Sequence, residues 1–177
     1  MARTNIRALR FAEAAFAVAR DMNQLDVWLE ALDRASAVYD NHAASLFLTS
    51  PVVPAEKKRA VLSTLVPGVS PEVSRFLGIL ARRDRLGLVP EIAQVYRRLL
   101  NEHRGIAVAL VTTAIPIDDR QKSAIAAKLG RRLGKTVNVE THIDASILGG
   151  VIAQVGDNVI DGSVGGRLER LRRTLTE

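Results

Sequence analysis

The sequence predicts a chain of α + α/β class: an N-terminal six-helix bundle followed by a small C-terminal α/β domain. Two observations carry this. Up to Gly105 apolar residues recur at intervals of three and four, the spacing of helices buried on one side. Beyond it the period falls to two, with Ile106, Val108, Leu110 and Thr112 alternating against Ala107, Ala109, Val111 and Thr113. The change of period sets the expected domains at 1–105 and 106–177.

The first helix is expected over residues 5–20, where Ala8, Ala12, Ala15 and Ala19 form a stripe of small side chains, with Phe11, Val18 and Met22 beside it. Such a stripe lets helices approach closely, and its reading as a groove suits an amphipathic partner helix. Leu25, Trp28, Leu29, Leu32, Ser36 and Tyr39 mark a second helix, and residues 42–48 a short third. Pro54 can open a fourth at its first position, with Val61, Leu62 and Leu65 expected inward, and Pro67-Gly68 ends it. Ser70-Pro71-Glu72 reads as N-cap, first position and acidic first turn of a fifth helix carrying Val73, Phe76, Leu77, Leu80 and Ala81. After Gly87, Pro90 restarts the pattern, and Ile92, Tyr96, Leu99 and His103 run a sixth helix to Gly105.

In the second half Asp118 can cap a helix bearing Ile125, Leu129 and Leu133, and Gly134 stops it. Val137, Val139, Thr141 and Ile143 alternate as a strand. Residues 150–155 and 158–161 flank Gly156-Asp157, a hairpin turn, and Ser163 can cap a last helix with Val164, Leu168, Leu171 and Leu175 as its stripe.

Composition excludes several chemistries. The 177 residues are 47% hydrophobic and 25% charged, enough apolar material for a core. The longest uncharged run, 41–55, holds His42 and two prolines, so no segment reads as a membrane span. Residues 1–4 lack the apolar stretch of a secretory signal, so the mature chain is expected to start there. Without cysteine there is no thiolate nucleophile and no cysteine metal site, and His42, His103 and His142 lie too far apart to expect a histidine one. No metal and no cofactor is expected. The net charge of +6 concentrates between residues 49 and 105, where ten basic side chains face five acidic ones. That excess is the one feature favouring an alternative reading, a basic nucleic-acid-binding protein. Aromatics at 4% are too few for base-stacking platforms, so no nucleic-acid partner is expected.

Apparent motifs dissolve on inspection. Gly130-Arg131-Arg132-Leu133-Gly134-Lys135-Thr136 looks like a phosphate-binding loop, but three residues separate its glycines where four are needed, and it ends a helix instead of opening one. Ser163 lacks the spacing of a nucleophile elbow and reads as a helix cap. Asp157 and Asp161 read as hairpin residues, not a catalytic carboxylate pair. No catalytic constellation is present.

A resemblance covers essentially the whole chain. The run Ser146-Ile147-Leu148-Gly149-Gly150-Val151-Ile152-Ala153-Gln154-Val155-Gly156-Asp157-Asn158-Val159-Ile160-Asp161-Gly162-Ser163-Val164, then Gly166-Arg167-Leu168, resembles the C-terminal signature of the ATP synthase delta subunit, the family of the mitochondrial oligomycin sensitivity-conferring protein. Arg10-Phe11-Ala12-Glu13-Ala14-Ala15-Phe16 resembles that family's opening motif, and Trp28, Ser50-Pro51, Glu56-Lys57, Phe76-Leu77, Arg85, Pro90-Glu91-Ile92 and Tyr96 continue it. Ala153 departs from the pattern, where a larger aliphatic residue is usual, as does Gly165, where a basic one is frequent.

The resemblance implies a non-catalytic stator subunit of the proton-translocating F-type ATP synthase. It implies peripheral attachment at the cytoplasmic side of a bacterial plasma membrane, without direct insertion. Its helical domain would bind the N-terminal helix of an alpha subunit between the first and fifth helices, with Phe11, Ala14, Ala15, Val18, Phe76, Ile79 and Leu80 as groove residues. Its α/β domain would bind the C-terminal end of the b subunit, with Gly149, Gly150, Gly156, Asp161, Gly162, Ser163, Arg167 and Leu168 as the family's signature positions. The glycines are expected to meet backbone demands and not to bind a ligand.

Overall fold

The computed structural model describes residues 5–147, 149–156, 158–167 and 172. The chain divides into two compact units, 1–100 and 101–177. Among the described residues six α-helices occupy 6–103, and a four-stranded sheet with one long helix follows.

Helix α1 (Ile6–Asp21) begins where the Asn5 carboxamide oxygen accepts the Arg7 N–H at 3.1 Å. Helix α2 (Leu25–Ala37) passes through a 3-10 turn, Val38–Asp40, into α3 (His42–Thr49). Pro54 precedes α4 (Ala55–Leu65), and α5 (Pro71–Arg82) starts with Pro71 in its first turn and the Ser70 hydroxyl accepting from Val73 N–H. A second 3-10 turn, Leu86–Leu88, leads into α6 (Val89–His103).

The core of this helical unit is built around Trp28 and Tyr96. Trp28 tilts against Phe76 at 5.6 Å between ring centroids, and Phe16 meets Tyr96 edge-on at 5.7 Å. Both tyrosine hydroxyls are satisfied by carbonyls: Tyr96 donates to Leu25 O at 3.0 Å and Tyr39 to Leu86 O at 2.6 Å. Two expectations are corrected here. The alanine stripe of α1 is no groove, because Ala8, Ala12, Ala15 and Ala19 are at most 1% exposed within the unit's own core. The inner face of α4 is Lys58 and Leu62, four residues apart, with Val66 just beyond; Val61 is half-buried and Leu65 points outward. Burial of Lys58 rotates the helix away from the face its apolar residues alone would choose.

In the second unit, β1 (Ile106–Thr113) and β2 (Thr136–Ile143) pair in parallel, which requires a crossover, and α7 (Asp119–Leu133) supplies it. The capping box is complete: Asp118 Oδ1 accepts from Gln121 N at 2.6 Å and Gln121 Oε1 from Asp118 N at 3.0 Å. Gly134 ends α7 in the left-handed region at φ 64. β3 (Val151–Val155) runs antiparallel to β1, and β4 (Asn158–Asp161) antiparallel to β3, giving the order β2-β1-β3-β4. Side chains alternate across the sheet. Ala109, Val111, Val137 and Ala153 gather with Leu129 in one core, flanked by Ile125, Leu133 and Val139. The departure at Ala153 thus falls inside this core, opposite Val111 in the register.

Candidate functional site

On α1, Phe11, Ala14 and Val18, with Met22 at its C-cap, fall at intervals of three and four, one step around the helix from the alanine stripe. Phe11 is half-buried and Ala14 exposed, while Val18 and Met22 are 42% and 48% exposed. On α5, Phe76 is half-buried through its packing on Trp28, and Ile79, three residues on, is 41% exposed. Ala15 and Leu80 lie in the core, 1% and 0% exposed, so they support these faces from beneath and present no surface of their own. Apolar side chains left at helical spacing on a folded helix are the chemistry of a helix-binding face.

The signature residues of the second unit form a backbone knot. Gly149 and Gly150 have φ of 152 and 81, and a Cβ on Gly150 would lie 2.6 Å from Gly162 O and 2.9 Å from Ser163 Cα. Two chain segments cross there at a distance that only glycine permits. Gly162 N–H donates to Val151 O at 2.9 Å and Val164 N–H to Gly149 O at 3.0 Å, tying the crossing on both sides. Asp161 Oδ1 accepts from Ser163 N–H at 2.8 Å and from the Ser163 hydroxyl at 2.7 Å, and that hydroxyl accepts from Gly166 N–H at 2.9 Å. Ser163 therefore starts the helical turn at 164–167. Gly166 has no room for a side chain, since the Asp161 carboxylate occupies that place. At Gly165 the nearest atom to an added Cβ would be Ile147 O at 3.8 Å, so a side chain fits there. Gly156 turns β3 into β4 at φ 57. Arg167 is exposed, and Leu168, with Asp157, Leu171 and Leu175, lies outside the described residues.

Just before this knot, Asp144 Oδ1 accepts from Ser146 N–H at 2.9 Å. Hydrogen bonds from Ser146 hold the Asp144 carboxyl below its ordinary value, with a smaller pull from His142. These are features of a turn, not of a reacting site. No group of His, Asp and Glu able to hold a metal occurs among the described residues. The loop resembling a phosphate site is the C-cap of α7: Gly134 N–H donates to Gly130 O at 2.8 Å, and the chain passes directly into β2.

Periodicity gave no warning of one residue, Lys58, whose side chain is 1% exposed on the inner face of α4. Its partner, Asp84, lies 26 positions away, beyond the reach of any local pattern.

Comparison with known proteins places this architecture. Residues 8–175 match the family described as "ATP synthase delta (OSCP) subunit". The chain is 38% identical over 167 residues to "ATP synthase subunit delta" of Thioalkalivibrio sulfidiphilus, covering 94% of each chain. It is 34% identical over 170 residues to the protein of the same name from Dehalococcoides mccartyi, covering 96% of this chain and 94% of that one. Among solved structures, a chain in the cryo-EM structure of the Toxoplasma gondii mitochondrial ATP synthase hexamer superimposes with a TM-score of 0.70 at 27% identity, over 96% of this chain and 97% of that one. A match running through both units, with relatives of nearly equal length, leaves one assignment: this chain belongs to the ATP synthase delta (OSCP) subunit family.

Proposed function

We propose that this chain is a non-catalytic stator subunit of a proton-translocating F-type ATP synthase, joining the catalytic head to the peripheral stalk. The observation that carries the reading is the extent of the family match, residues 8–175, which takes in both units. The helical unit, 1–105, holds the head by the N-terminal helix of an alpha subunit, received between α1 and α5. Phe11, Ala14, Val18, Phe76 and Ile79 contact that helix, while Ala15 and Leu80 fix the spacing beneath. The α/β unit, 106–177, holds the C-terminal end of the b subunit.

The task is mechanical. Rotation of the central shaft exerts torque on the head, and the head turns with the shaft unless something outside the shaft holds it still. Nothing in this task requires a bond to be made, a metal or a cofactor. Attachment is peripheral, at the cytoplasmic side of a bacterial plasma membrane, through the partner subunits; no described helix is long and apolar enough to cross a membrane.

Two measurements test this. Purification of the tagged full chain from detergent-solubilised membranes is expected to bring the ATP synthase alpha and b subunits with it. Calorimetry with a peptide copying the N-terminal helix of the cognate alpha subunit is expected to show binding to the full chain. Absence of both subunits, or no heat from the folded chain at peptide concentrations well above micromolar, overturns the proposal.

A further inference from the structure

We infer that a basic cleft between α4 and α5 binds a phosphate group, beside the alpha face proposed above, whose Ile79 lies four residues from Arg75 and three from Arg82 on α5. The cleft is lined by Ala55, Glu56 and Arg59 of α4 and by Ser74, Arg75, Gly78 and Arg82 of α5. Arg75 and Arg82 are seven residues apart, two turns along one helix face, with Ser74 and Gly78 beside them. Gly78 is buried, and a Cβ there would lie 3.8 Å from Arg59 Cδ, so the Arg59 stem lies against α5 at that point, in the cleft that Arg75 and Arg82 also line.

None of these three arginines has an ion pair with a carboxylate among the described residues. That contrasts with Arg97 on the same unit, whose guanidinium lies 2.6 Å from Asp33. Three guanidiniums against the single carboxylate of Glu56 leave two positive charges facing one concavity. A phosphate monoester carries about −1.5 to −2 at neutral pH and three acceptor oxygens, which matches the charge and gives one oxygen for each guanidinium. A carboxylate carries only one negative charge and two oxygens, so it would leave one of the two positive charges unmatched. The cleft also opens at the first turn of α4, whose uncapped N–H groups add partial positive charge on the same side.

The ligand chemistry is thus a phosphate group, carried by a soluble ester or by an anionic lipid headgroup. The test uses the purified full chain with arginine Nε–H resonances followed by NMR. Phenyl phosphate is titrated in one arm, and vesicles of phosphatidylglycerol against phosphatidylcholine are used for co-sedimentation in the other. Arg75→Gln with Arg82→Gln is expected to weaken the response at least tenfold, and Arg75→Lys with Arg82→Lys to weaken it partly, because an ammonium keeps charge but loses the fork. Arg120→Gln with Arg131→Gln, on α7, removes the same charge elsewhere and is expected to change nothing. A saturable response in the phenyl phosphate arm identifies a soluble ester as the source, and one confined to phosphatidylglycerol vesicles identifies the headgroup; either supports the site. No saturable response in either arm, or equal weakening by the α7 pair, overturns it. Circular dichroism of each variant separates loss of the site from loss of fold.

Discussion

Lys58 Nζ lies 2.5 Å from Asp84 Oδ1, joining an ammonium 1% exposed on α4 to a carboxylate 51% exposed in the turn after α5. Asp84 also holds a left-handed backbone, φ 55, that lets Arg85 N–H reach Leu80 O at 2.8 Å and close the helix end. One aspartate thus fixes both the turn and the buried charge.

Removing the carboxylate is expected to cost more than removing the pair. Asp84→Ala leaves a buried ammonium unpartnered and should destabilise by about 2 kcal/mol, less than a fully buried pair because Asp84 is half in solvent. Asp84→Asn keeps the turn preference and an acceptor oxygen, and should cost about half as much. Lys58→Met should fall within about 1 kcal/mol of the parent. Urea unfolding followed by Trp28 fluorescence orders the three; an Asp84→Ala midpoint equal to the parent's removes the ion pair from the account.

Neighbouring alanines of α1 should respond in opposite ways to the same enlargement. Ala15→Trp forces bulk into a closed core and is expected to destabilise by about 3 kcal/mol or more. Ala14→Trp, on the exposed side, should change stability by less than about 0.5 kcal/mol. Under the proposed head attachment it should weaken alpha-peptide binding at least tenfold. A stable Ala14→Trp chain that binds the peptide as well as the parent would place the alpha contact elsewhere.

At the glycine crossing, Gly150→Ala is expected to destabilise the α/β unit by about 2 to 4 kcal/mol, combining a positive φ with a backbone clash. Asp161→Ala should cost about 1 to 2 kcal/mol through the lost cap. The one tryptophan, Trp28, lies in the helical unit, so its fluorescence transition should stay in place while amides of β3 exchange faster. Unchanged exchange in Gly150→Ala would show that the crossing relaxes at no cost.

Burial raises the pKa of the Tyr39 phenol well above its ordinary value of 10.0. A folded value above the unfolded one means full stability below about pH 10, with progressive loss as pH rises beyond it. Tyr39→Phe should remove that alkaline sensitivity and cost about 1 to 2 kcal/mol at neutral pH, since Leu86 O loses its donor. Parallel stability curves for parent and variant from pH 9 to 11 would contradict the assignment.

Much of the architecture was legible because it rests on local signals. Ser70 and Asp118 start helices by accepting N–H bonds from three residues on, and Gly134 ends one, so their chemistry is visible in a short window. The inner face of α4 was not legible: periodicity counts apolar residues, and Lys58 is inward only because Asp84 meets it across 26 positions. The same limit applied to α1, where the small side chains are plain in sequence but what fills the space above them depends on the remaining helices. Gly150 was marked by family resemblance, whereas its reason, the approach of Gly162 and Ser163, exists only in three dimensions.

The strand by which the chain enters its α/β unit is also the strand flanked on both sides in the sheet. β1 is in register with β2 over eight residue pairs and with β3 over five. Tension drawn along the chain through Gly105 would therefore pull β1 lengthwise between its neighbours, loading those bonds in shear and together, not peeling them one after another. Pulling from the edge strand β4 would meet them singly. In a force spectrometer, the first geometry is expected to rupture at a higher force than the second, making the sheet stiffer to tension along β1 than to tension at its edge.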